Sequence, residues 1–88
     1  MKKLIEVTEV SGEGLEKLLG ERILVMALNY FYSGKLVGVN TDCILLEDPA
    51  IVYETGQWSA KSFTEEQQLH AKQWYIQRAA IESFGLAK

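Results

Sequence analysis

The stretch Tyr32-Ser33-Gly34-Lys35-Leu36-Val37-Gly38-Val39-Asn40 decides how the rest of the chain is read. Two glycines spaced by four stand inside a β-type run. Glycine in a strand interior loses backbone entropy on folding and offers no side chain to pack, so Gly34 and Gly38 predict a bend or a close backbone approach. A strand that must bend belongs to a small, tightly curved sheet, and the whole of 23–54 reads as the body of a small barrel.

Working outward, Arg22-Ile23-Leu24-Val25-Met26-Ala27-Leu28 is an apolar run too short for a typical helix, and reads as a strand buried on both faces. Residues 30–40 form the bent strand and 42–47 a third. Asp48-Pro49 predicts a turn, because proline presets the dihedral at its second position. Ala50-Ile51-Val52-Tyr53-Glu54 is then a fourth strand, and after Gly56 a short fifth is expected over 58–63.

Both ends read as helical. Ser11 offers a capping hydroxyl, Leu15, Leu18 and Leu19 share one helical face, and Gly20 is a C-terminal cap, which predicts a short helix over 11–20. Leu4-Ile5-Glu6-Val7-Thr8-Glu9-Val10 reads either as a leading strand or as a loosely attached arm. Ser62 with Glu65, or Thr64 with Gln67, gives a capping-box pattern, and Leu69, Ile76, Ala80 and Phe84 fall on one helical face. A long C-terminal helix over 64–85 with Gly85 as its stop follows. Its wide apolar surface suggests contact between subunits.

Composition bounds the rest. At 88 residues, 48% hydrophobic and 24% charged, the chain is expected to be one folded domain with a small core. The formal charge of −3 gives no global attraction to nucleic acid or anionic membrane, so any anion site must be local. Cys43 has no second cysteine to pair with. No apolar run nears the ~20 residues that span a bilayer, and Glu6 and Glu9 interrupt the apolar region a signal peptide needs. A cytoplasmic location without membrane contact is the default expectation.

In order, helix, strand, bent glycine-bearing strand, apolar strand closing on acids and further strands, the chain resembles the Sm-like (LSm) family. The likeness lies in Leu18-Leu19-Gly20-Glu21-Arg22-Ile23-Leu24-Val25, in Gly34-Lys35-Leu36-Val37-Gly38-Val39-Asn40 and in Ile44-Leu45-Leu46-Glu47-Asp48. It covers roughly the first half of the chain and matches the family's first motif. The resemblance implies a five-stranded, strongly bent antiparallel sheet closed as a small barrel over 21–63, with the N-terminal helix laid across it. It also implies a homo-oligomeric ring that binds single-stranded RNA or DNA. Ala50–Glu54, apolar and without lysine, is the edge strand expected to pair with the next subunit.

Asn40 matches the Asp or Asn ending the family's second strand. The Asn that should follow in the base-contacting loop is replaced by Asp42 and Cys43. The second motif, an apolar strand followed by Arg-Gly, has Trp58-Ser59-Ala60-Lys61-Ser62 in the expected place. Candidate nucleic-acid contacts are therefore Asn40, Thr41, Asp42 and Lys61. Each has a plainer role: Asn and Asp are ordinary turn residues, and an exposed lysine is commonplace. The aromatics Tyr30, Phe31 and Tyr32 offer a stacking surface, although alternate strand residues face opposite sides. No enzyme is expected, since Cys43 and His70 are the sole nucleophile and base candidates and nothing in the sequence brings them together. Neither cofactor nor metal is expected. The competing reading is a structural or protein-interaction ring without a nucleotide pocket.

Overall fold

The computed structural model describes residues 14–87. It opens on a 3-10 turn, Gly14–Leu18, and continues through strands β1 (Arg22–Ala27), β2 (Phe31–Val39), β3 (Cys43–Glu54), β4 (Glu65–Gln68) and β5 (Gln73–Gln77). A second 3-10 turn, Arg78–Ala80, leads to β6 (Ile81–Leu86). All pairings are antiparallel, in the order β4-β3-β2-β1-β6, with β5 also paired to β3.

One core is shared by β1, β2, β3, β5 and β6. Ile23 and Val25 of β1, Leu36 of β2, Ile44 and Leu46 of β3 and Ile76 of β5 are buried in a single cluster, with Ile81 of β6 packed against it. Among the described residues no second sheet covers these side chains, so the sheet curves around its own inner face. β5 and β6 are joined by the three residues Arg78–Ala80, and Leu28 N donates to Ala80 O at 3.0 Å beside that link. Leu15 of the first 3-10 turn is buried within the same cluster, and Leu18 packs against it. Gly20 N donates to Leu36 O and Leu36 N to Glu21 O, which ties that turn to β2.

The predicted bending residues stand at the register breaks. Between Ser33↔Ala50 and Lys35↔Glu47, Gly34 on β2 faces two residues, Asp48 and Pro49, on β3. A Cβ on Gly34 would lie 3.0 Å from Leu46 Cβ and 3.3 Å from Glu47 O, so a close approach explains this glycine. The second break, between Leu36 and Gly38, puts an extra residue, Val37, on β2. Such bulges increase local twist and curvature.

The run Asp48-Pro49 is therefore no turn. The expected third and fourth strands are one strand, β3, and Asp48 absorbs the irregularity with φ of 50°, a left-handed conformation that Asp tolerates better than most residues. Both flanks hold this bulge. Arg22 Nη1 donates to Asp48 O at 3.3 Å and Nη2 to the hydroxyl of buried Ser33 at 3.4 Å, while Ser33 Oγ donates to Glu66 Oε2 at 3.2 Å. On the other side Asp48 N donates to Lys72 O and Leu69 N to Pro49 O, each at 2.9 Å.

The largest correction concerns 64–85, where strands replace the expected long helix. Gln73-Trp74-Tyr75-Ile76-Gln77 alternates: Trp74 and Ile76 are drawn inward, and Tyr75 and both glutamines are exposed. A period of two competes there with the helical spacing, and the open edges of β1 and β3 settle the choice by offering hydrogen-bond partners. Gly85 pairs with Leu24 inside β6 and stops no helix. The expected N-terminal helix is reduced to Gly14–Leu18, with residues 11–13 and the leading segment 4–10 outside the described residues. Residues 58–63 are loop and not a fifth strand. Ala50–Glu54 is no edge, since β2 and β4 flank it.

Candidate nucleic-acid interface

The β2–β3 turn is built by Asn40. Its Oδ1 accepts hydrogen bonds from Asp42 N and Cys43 N, both at 2.8 Å, and Asn40 N donates to Cys43 O at 3.0 Å. This is the local side-chain-to-backbone bonding that makes Asn a turn residue. It leaves Asn40, Thr41 and Asp42 exposed at the tip. The Asn40 oxygen is thus committed to the fold, while its amide nitrogen holds no hydrogen bond among the described residues.

A second element is stitched to this turn. Arg78 Nη1 donates to Asn40 O at 2.9 Å, and Arg78 N donates to Asp42 O at 2.8 Å. The register pair Cys43↔Gln77 brings the start of β3 beside the end of β5, so the 3-10 turn Arg78–Ala80 must emerge against residues 40–42. The guanidinium is exposed, and its remaining donors make no hydrogen bond among the described residues. A cation with open donors beside exposed amide and hydroxyl groups can hold a phosphate or another anion.

Arg78 is not among the candidates legible in the sequence, because a helix over 64–85 would place it on a different element from Asn40. The available signal was the alternation Trp74-Tyr75-Ile76 followed by an arginine and two alanines. Lys61 goes the other way: it is exposed in the loop between β3 and β4, while Asn40 precedes the opposite end of β3. The intervening strand has a contour of about 36 Å at about 3.3 Å per residue. The structure therefore gathers Asn40, Thr41 and Asp42, adds Arg78, and places Lys61 elsewhere.

Cys43 is partly buried at the start of β3, whereas His70 lies in the connection between β4 and β5, edge-to-face with Trp74, so the two stand on different elements. Among the described residues no three His, Cys, Asp or Glu side chains are grouped to share a metal ion. Among the same residues no helix is long and apolar enough to cross a membrane. No family model, curated protein or solved structure matches the chain.

Proposed function

We propose that this chain is an Sm-like small barrel that assembles into a homo-oligomeric ring and binds single-stranded nucleic acid, RNA above all, at the turn formed by residues 40–42. The observation that carries the reading is the bonding of Arg78 to both Asn40 and Asp42. In the second motif implied by the resemblance, an apolar strand runs into Arg-Gly. Here β5 runs into Arg78 and the small residue Ala79, nearer to that pattern than residues 58–62. A local cation also answers the charge objection, since a chain of net charge −3 needs its phosphate contact concentrated at one place.

Support for the ring lies at the edges. One side of β5 and one side of β6 are unpaired among the described residues, and Phe84 and Leu86 on β6 are exposed. An open apolar edge is a pairing template, and pairing β5 of one copy with β6 of the next satisfies both. The competing reading, a protein-interaction ring, draws on the Asn40 oxygen being occupied within its own turn.

Titration of labelled U-rich and A-rich RNA and single-stranded DNA at low and moderate salt tests the function. Binding that weakens with salt and is lost in Arg78→Ala, with Lys61→Ala unchanged, is expected. Absence of binding at low salt leaves the interaction ring, and a monomeric mass by light scattering removes the ring itself.

A further inference from the structure

A half-open groove of about 290 Å³ lies next to the Arg78 site, between the β1–β2 turn and the end of β5. Ala27 and Ile76, both buried, form its depth, and Tyr30, Tyr32, Tyr75 and Gln77 are among the side chains around it. Tyr30 and Tyr75 are 52% and 67% exposed, unusually open for aromatic rings that border an apolar recess. Tyr30 is set edge-to-face against Tyr32, with centroids 6.3 Å apart and planes at 66°, which orients its ring. The Leu28 N to Ala80 O bond ties the two walls together.

We propose that this groove is a base-stacking subsite, which receives a nucleobase of the same strand whose phosphate is held at Arg78; it rests on the nucleic-acid reading above. Three features select this occupant. Among the described residues the lining carries no charged side chain, which suits a neutral base and not a charged peptide side chain or a free anion. The exposed rings of Tyr30, oriented by Tyr32, and of Tyr75 give a π-face that any base can stack on. The Asn29 and Gln77 amides supply donors and acceptors for a base edge, and Gln77 immediately precedes Arg78, so base and phosphate contacts are one residue apart in the chain.

The test measures binding of short oligothymidylate, and of an abasic deoxyribose-phosphate strand of equal length, to the full chain and to Tyr30→Ala, Tyr75→Ala, Tyr75→Phe and Arg78→Ala. Because Tyr75 is exposed, its substitution leaves the core intact, and thermal unfolding checks this. Expected is a loss of about tenfold or more in oligothymidylate affinity for either alanine variant. Tyr75→Phe should retain wild-type affinity, and weak binding of the abasic strand should depend on Arg78 but not on the tyrosines. Oligothymidylate binding that depends on Arg78 and ignores both tyrosines overturns the groove and leaves the phosphate site standing. Absence of oligonucleotide binding overturns both. Binding of a proline-rich peptide at the groove, with tyrosine substitutions affecting that peptide alone, overturns it in favour of peptide docking.

Discussion

The two halves of β3 are one strand with two different lives. From Cys43 to Glu47 it lies between β2 and β5, and its inward residues Ile44 and Leu46 have no exposed surface. From Ala50 to Glu54 it lies between β2 and β4; Ala50 and Val52 are buried, but the four β4 residues Glu65–Gln68 are all exposed, and Tyr53 and Glu54 are exposed with them. The bulge at Asp48-Pro49 opposite Gly34 divides them. One half encloses the core and ends at the candidate site; the other reaches out towards the loop that carries Lys61. Belonging to one continuous strand does not imply uniform energetics, because stability follows what the side chains bury.

The comparison breaks most readily on side-chain truncation. Ile44→Ala should cost about 2–5 kcal/mol, lowering the unfolding midpoint by at least roughly 8 °C, whereas Tyr53→Ala should stay within about 0.5 kcal/mol. Thermal or urea unfolding decides, and equal costs would abolish the distinction. Next in size, Gly34→Ala should cost about 1–3 kcal/mol, because the added methyl must displace Leu46 Cβ or the Glu47 carbonyl across the bulge. Gly38→Ala, whose nearest contact is Leu45 Cβ at 3.3 Å with no backbone atom close by, should cost less.

At the site end, Asn40→Ala removes an acceptor shared by two backbone N–H groups and should cost about 1–2 kcal/mol, read by the same unfolding measurement. Lys61→Ala at the other end should leave stability unchanged. The smallest effect is one of pH. Burial pushes the Tyr32 hydroxyl above its ordinary value of 10.0, and neighbouring Tyr30 adds to the rise. The unfolded chain then releases this proton first, so the Tyr32 contribution is fully present below about pH 10 and is lost as pH rises through the raised value. The stability of Tyr32→Phe should fall less steeply than wild type in that range.

Much of the first half was legible. Ile23, Leu24 and Val25 are buried consecutively, as a strand covered on both faces requires, and both glycines stand at register breaks. Asn40 was found as a turn residue because short-range bonding to its own backbone is a local property. Arg78 was missed for the opposite reason. Its role depends on β5 lying against β3, a pairing between residues far apart in the chain, and Leu69, Ile76, Ala80 and Phe84 satisfied a helical period well enough to hide a strand.

The sequence by itself determined where the chain bends, which run is buried on both faces, and that any anion site must be local in a chain of net charge −3. Those are consequences of residue type and near-neighbour spacing. Tertiary structure decided that Asp48-Pro49 is a bulge and not a turn, that the last third is sheet and not helix, and that Arg78 and not Lys61 meets Asn40. The reason is common to all three: an unpaired strand edge must find hydrogen-bond partners, and which segment supplies them is settled by long-range pairing that local propensity does not encode.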